Sequence, residues 1–154
     1  MIRNKLRFLF FTMLSLFCLL MLTGCPWGQM KYYPSETAST YMNGDSVCFF
    51  IPNAQDYQPV FISINLRSTP PKEGTFTDEP NLTIIDGKLC IPPSFYHLPD
   101  TSTGPFIVQL VIESKDKGNH PRHFVLGFEM LNRRAYDVPL TKREYDEPSI
   151  SSKI

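Results

Sequence analysis

The sequence has no surplus of charge, a single tryptophan, three histidines and eight glycines, and each scarcity excludes something. Fifteen Lys and Arg balance fifteen Asp and Glu. Beyond Arg133-Arg134 and Lys142-Arg143 the basic residues do not cluster, so no nucleic acid partner is expected. The glycines form no phosphate-cradling loop, and there is neither a Gly-x-Ser-x-Gly nucleophile turn nor a His-Glu-x-x-His pair. No catalytic residue, cofactor, metal site or small-molecule substrate is therefore expected. His120 and His123 bracket a turn without further ligands nearby, and Glu113 and Glu129 fall on different predicted strands, so both pairs read as solvated positions. The longest apolar run, Phe8 to Leu22, is 15 residues, short of the roughly 20 that a membrane-spanning helix needs.

That run is informative all the same. Arg3, Lys5 and Arg7 precede it, and small or flexible residues follow it. A positive start, an apolar middle and a small-residue end describe an export signal over residues 1–24. Its last residues, Leu22-Thr23-Gly24-Cys25, resemble the lipobox of bacterial lipoprotein precursors. The resemblance implies that the Cys25 thiol receives a diacylglyceryl group, that cleavage falls just before it, and that Cys25 becomes the first residue of the mature chain. Acyl chains contribute about 0.8 kcal/mol per buried methylene, so several of them make a lasting membrane anchor. The implied location is the bacterial envelope, facing the periplasm. Pro26 stands where such proteins carry a sorting signal, and it is not the aspartate of inner-membrane retention, which favours the outer membrane.

Removing residues 1–24 takes away three cations and no acid, so the mature chain is 12 minus 15, or −3. Of the four cysteines, Cys18 leaves with the signal and Cys25 carries lipid, which leaves Cys48 and Cys90. An exported chain with two remaining cysteines most simply forms one disulfide, with a pair of buried thiols as the rival reading. Closing a loop of about 40 residues contributes roughly 4 kcal/mol in the chain-entropy picture.

Residues 25–35 read as a lipidated tether broken by Pro26, Gly28 and Pro34. From Thr37 the chain becomes a series of β-branched and aromatic runs separated by turn residues, without a helical period. Strands are expected at Thr37–Met42, Ser46–Ile51, Pro59–Arg67, Asn81–Ile85, Lys88–Ile91, Pro105–Ser114 and Arg122–Leu131. Asn43-Gly44 and Asp86-Gly87 mark two tight hairpins. In the third strand Val60, Ile62, Ile64 and Leu66 share one face, which is assigned to the core. Ser68–Pro80 reads as an irregular crossing, Arg133–Leu140 as a short edge strand, and 141–154 as a polar, poorly ordered tail.

The expected fold is an all-β, seven-stranded antiparallel sandwich, immunoglobulin-like or transthyretin-like, over residues 36–140. The expected order places the first, second, fifth and fourth strands in one sheet, and the third, sixth and seventh in the other. This makes the second and fifth strands neighbours and puts Cys48 beside Cys90. Parity places both opposite Val47, Phe49, Leu89 and Ile91, so the disulfide is expected on the outer face of its sheet.

A small sandwich on a membrane tether, with no catalytic motif, reads as a binding protein. The mature chain resembles short enterobacterial lipoproteins described as type VI secretion immunity proteins. The resemblance rests on the lipobox with Pro26, on Tyr32-Tyr33-Pro34, on Val47-Cys48, on Tyr57-Gln58-Pro59-Val60 and on Leu89-Cys90-Ile91-Pro92-Pro93. It implies a secreted toxin as protein partner and a steric, noncatalytic mechanism. Aromatic and Arg residues dominate such interfaces, and the candidates are Tyr96 and His97 in the loop after the fifth strand, with Arg133 and Arg134 after the seventh. The alternative is a structural or assembly lipoprotein of the envelope or of a secretion apparatus.

Overall fold

The chain divides into two compact units, Met1–Tyr32 and Tyr33–Ile154. A computed structural model describes residues 34–99, 102–116 and 118–146, together with Lys5, Arg7 and Met13. The signal-peptide reading of 1–24, apart from those three residues, and the lipidation at Cys25 therefore lie outside the described residues, as do most of the tether and residues 147–154. No helix among the described residues is long and apolar enough to cross a membrane.

The second unit is an all-β sandwich of two antiparallel sheets. The smaller contains β1 (Ser39–Asn43), β2 (Ser46–Phe50), β5 (Ile84–Ile85) and β6 (Lys88–Ile91), in the order β1-β2-β6-β5. The larger contains β3 (Gln58–Leu66), β4 (Thr77–Asp78), β7 (Phe106–Glu113), β8 (Arg122–Leu131) and β9 (Arg134–Val138), in the order β4-β3-β7-β8-β9. All seven expected strands are present in the expected sheets. β9 is the expected edge strand, and β4 is an addition inside the stretch read as an irregular crossing.

Alternation builds the core as the sequence dictates. Phe106, Val108, Leu110 and Ile112 of β7 and Phe124, Leu126, Phe128 and Met130 of β8 point inward and are buried. They meet Val47, Phe49, Leu89 and Ile91 of the smaller sheet. Phe49 and Phe128 join the two layers with ring centroids 6.0 Å apart, and Phe106 stacks on Phe128 at 5.3 Å. In β3 the parity breaks. The register shifts between Pro59 and Phe61, so Val60 is an extra, bulged residue. Ile62 and Ile64 stay in the core, but Pro59 turns inward opposite Ile112 and Val60 is left half exposed. A proline, with no N–H to donate, suits such a bulge.

Turn chemistry follows the two hairpin signals with one adjustment. Asp86 and Gly87 both have positive φ, the pattern of a type I′ turn. Asn43 instead pairs with Ser46, so the first turn is Gly44-Asp45, with positive φ at Gly44 alone, the pattern of type II′. Cys48 and Cys90 are direct register partners, with Cα atoms 4.0 Å apart and a 2.04 Å S–S bond. They alternate with Val47, Phe49, Leu89 and Ile91, on the face turned from the core, as parity requires. Cys48 is nonetheless fully buried there.

Side chains close both open flanks of the sandwich. On one flank the Thr40 N–H of β1 donates to Asp137 Oδ1 of β9 at 2.8 Å. On the other, Gln58 of β3 accepts from the Ile84 N–H at 2.9 Å and donates to the Ile84 carbonyl at 3.2 Å. The amide thereby copies a backbone partner across the sheets.

Within the stretch 141–154, read as a polar, poorly ordered tail, Lys142–Asp146 form a short helix, α1. Glu144 accepts from the Thr141 N–H and hydroxyl and from Arg67 in a two-bond fork at 2.6 and 2.7 Å. The pairing across 77 residues was hidden because Thr141-x-x-Glu144 gains its hold only from a distant arginine. The fork keeps the Glu144 carboxyl at about 2, well below its ordinary 4.5.

Candidate functional site

The strands define two ends, and the chain enters the sandwich at one of them. There Glu36 makes an isolated parallel bridge to Phe124, taking up the edge of β8 that β9 leaves uncovered. Arg122 gathers this end. Its Nε and Nη2 donate to the two Glu36 carboxylate oxygens at 2.7 and 2.6 Å, and its Nη1 donates to the Asn53 carbonyl at 3.0 Å. The guanidinium lies 5.0 Å from the Phe124 ring centre and 5.5 Å from that of Tyr57. The Tyr57 hydroxyl donates to the His120 carbonyl at 2.9 Å. Ser35 Oγ lies 3.0 Å from His123 Nδ1 and 3.2 Å from the Tyr145 carbonyl, tying the chain entry to α1. Burial pushes the His123 pKa below its ordinary 6.5.

A hollow of about 560 Å³ opens here beside His120, Arg122 and His123. The arrangement is a clasp. All three nitrogens of its arginine donate to fixed partners, and each bond joins separate segments of the fold. The two histidines that bracket the turn stay apart in role: the His123 ring lies against Ser35 on the outward face of the larger sheet, while His120 is engaged through its carbonyl. Among the described residues no group of three or more His, Cys, Asp or Glu is placed to hold a metal.

The opposite end gathers three loops: the β1–β2 turn, the segment after β6, and the β8–β9 turn. They enclose a pocket of about 260 Å³. Met42, Leu98 and Met130 supply apolar surface, while Asp45, His97 and Arg133 bring charge or polarity. The structure thus unites two of the four residues singled out from the sequence, His97 and Arg133. Asp45 and the two methionines were missed; the hairpin signal at Gly44 placed the turn but did not show what it faces.

The segment after β6 divides its labour by residue. The Phe95 and Tyr96 N–H groups donate back to the Pro92 carbonyl, at 2.9 and 3.1 Å, forming a single turn. Phe95, Tyr96 and Leu98 pack on the core, while His97 is exposed. Tyr96 sits edge-on to Phe106 at 6.3 Å, and desolvation raises its pKa. It plugs the sandwich instead of facing the pocket. Arg134 is exposed at the start of β9, next to the pocket residue Arg133.

The β8–β9 turn is a strained one. Asn132 and Arg133 hold φ of 51° and 59°, the left-handed values of a type I′ turn that Asn-Gly or Gly-Gly adopts readily. An arginine at such a φ costs on the order of 1 kcal/mol. Strain of this kind persists where the surrounding structure imposes it, as it also does at Gln55 and Glu79, with φ of 43° and 45°.

Residues 35–133, 99 of the chain's 154, match a family described as a domain of unknown function, DUF7480. No curated protein and no solved structure matches the chain.

Proposed function

The chain belongs to the DUF7480 family of domains of unknown function, and we propose, from its own residues, that it is a lipid-anchored binding protein of the bacterial envelope. In this reading Cys25 carries the lipid, the sandwich faces the periplasm from the outer membrane, and the loop end neutralises a secreted type VI toxin by covering it. No bond is made or broken; the partner is occluded.

The observation that carries the reading is Arg133, held in a strained turn at the rim of a pocket at the end away from the chain entry. β1 runs from the entry toward that pocket. A tether at residues 25–35 would leave the loops reaching away from the membrane, where an incoming protein meets them first. His97, Arg133 and Arg134 supply the charged and planar groups that interfaces favour, around the apolar surface of Met42, Leu98 and Met130. The disulfide fits the same compartment, since such bonds persist in oxidising surroundings.

The test is a pull-down from the producing strain and its close relatives, with the full chain as bait and Arg133→Gly beside it. Glycine relieves the strained φ, so the variant should melt at the same temperature or up to about 5 °C higher. If Arg133 anchors the partner, capture of one secreted toxin-like protein should fall at least tenfold, the cost of about 1.4 kcal/mol. Equal capture by both would remove the loop end from the interface. Recovery of secretion-machine or envelope-assembly components would replace immunity with a structural role. Cys25→Ser should abolish incorporation of labelled palmitate, and retained label would refute the anchor.

A further inference from the structure

The strands of the four-stranded sheet carry almost no charge. Along β1, β2, β5 and β6 the single charged residue is Lys88. The outward positions of the larger sheet, by contrast, hold Asp78, Glu113 and Glu129. Lys88 stands in a row set by register: Ser39 beside Phe50, Phe50 beside Lys88, and Lys88 beside Ile85. Phe50 is 48% exposed and Ile85 65%, on the face turned from the core. Neighbouring strands put these two side chains about 10 Å apart, with the methylene stem of Lys88 between them. The row is an apolar bar with a cationic tip.

The row lies at the end where the chain enters. Ser39 comes three residues after Glu36, whose bridge to Phe124 marks that entry. The Ile51 N–H donates to the Gly87 carbonyl at 2.7 Å. The Phe50 ring lies over the same turn, its Cε2 3.8 Å from the place a Cβ would take at Gly87. The ring is thus supported from beneath and open outward. Behind the row, Tyr41, Cys48 and Cys90 form a second register row without charge, braced by the disulfide. Asp86 in the turn is the carboxylate next to the row, and like Lys88 it is exposed.

We infer that this row is a membrane-contact surface: Phe50 and Ile85 enter the head-group layer of a phospholipid bilayer, and the Lys88 ammonium meets its phosphates. The inference rests on the reading of Cys25 as the lipid anchor. Residues 25–35 span at most about 40 Å when fully extended, so the entry end stays beside the bilayer. Tethering of this kind holds the surface at an effective concentration of about millimolar, and a contact too weak to form alone becomes populated. An aromatic ring, an aliphatic side chain and a cation on a long stem are what the interface of a bilayer accommodates. Resting on the row fixes the orientation of the sandwich and leaves the loop end, at the far end of the strands, facing the periplasm.

The experiment places the ¹⁵N-labelled, lipid-carrying chain in nanodiscs of phosphatidylethanolamine and phosphatidylglycerol that contain a spin-labelled lipid. The amide signals of Ser39, Phe50, Ile85 and Lys88 should broaden several-fold more than those of His97 and Arg133. The double substitution Phe50→Ser, Ile85→Ser should lower the ratio of resting to lifted domains about tenfold, through the apolar surface it withdraws. Lys88→Glu, which keeps both apolar side chains, should lower it about fivefold at unchanged melting temperature. Equal broadening at both ends, strongest broadening at the loops, or no loss in either variant would overturn the contact. So would concentration-dependent dimers that the double substitution abolishes, which would give the row to a second copy. A chain that takes up no labelled palmitate would refute the anchor itself, whereas palmitate on the chain without broadening at the row would refute the contact alone.

Discussion

The four-stranded sheet is built from strands of five, five, four and two residues, whereas the three central strands of the five-stranded sheet run to nine, eight and ten. Short strands make few ladder hydrogen bonds, and a pair of them alone is marginal in water. The disulfide joins the two middle strands of the sheet that has least ladder to rely on. The larger sheet has no such link among the described residues, and its outward face is held by side-chain clamps: Arg67 on Glu144, Asn65 on Thr75, and Ser35 between His123 and Tyr145. Where secondary structure is thin the fold uses a covalent bond, and where it is extensive weak polar bonds suffice.

The double substitution Cys48→Ala, Cys90→Ala should cut hardest along this division. Freeing a loop with a sequence separation of 42 residues should cost about 4 kcal/mol and lower the melting temperature by roughly 15 °C. Hydrogen exchange should quicken first at residues 39–50 and 84–91, while β3, β7 and β8 keep protection close to the global value. Uniform loss across both sheets would show that they open as one unit, and the contrast between them would fail.

The larger sheet has its own sensitive point at Gly127. A Cβ there would lie 2.7 Å from the Val138 carbonyl and 2.8 Å from Leu140 Cδ2, so β9 must move to admit it. Gly127→Ala should therefore cost about 2 kcal/mol by overpacking, with exchange rising in β9 and the facing half of β8. A variant as stable as the parent would mean that β9 yields freely and that this sheet is looser than its long strands suggest.

Much of this division was legible from residue order. Strict alternation in β7 and β8, and a turn residue pair before β6, fixed the faces, and the adjacency of the second and fifth strands then placed Cys48 opposite Cys90. Three things were not legible. The bulge at Val60 inverts parity for Pro59, because one extra residue leaves no mark in a run of β-formers. β4 and α1 depend on partners far away in sequence, Phe61 and Ile62 for the first and Arg67 for the second. At the loop end, residue type suggested His97 and Arg133, but only the fold shows that Tyr96 turns inward and that Asp45 joins them. Loop residues carry little periodicity, so their facing is set by the elements they connect.

Gln58 tests the seam between the sheets. Gln58→Leu keeps the volume but removes both bonds to Ile84, leaving a backbone N–H and carbonyl without their amide partner. The loss should be about 1 to 2 kcal/mol. It also bares the edge at β5, where Ile85 is 65% exposed, and bare edges invite strand pairing between copies. Light scattering should then show concentration-dependent association that the parent lacks. A variant that loses stability without associating would leave the amide a stabilising role but no protective one.

Acid should produce the smallest and most local effect, in two steps on the larger sheet alone. His123 has its pKa lowered by burial, so its neutral form belongs to the folded state. Its contribution is complete above the ordinary 6.5 and declines as the pH falls from there toward the lowered folded value. Glu144 is ionised in the fold down to about 2, against an ordinary 4.5, chiefly through its bond with Arg67. Its contribution is complete above 4.5 and disappears as the pH approaches 2. Both Glu144 and Arg67 retain partial exposure, at 23% and 31% of their side chains, so water screens the pair and the second step should stay under about 1 kcal/mol. The amide signals of 142–146 should report both steps, His123→Gln removing the upper and Glu144→Gln the lower, while the disulfide-linked sheet stays unmoved. Matching shifts at β2 and β6 would mean that the clamps and the disulfide support one cooperative structure, and the two sheets would then differ in strand length but not in how they are held.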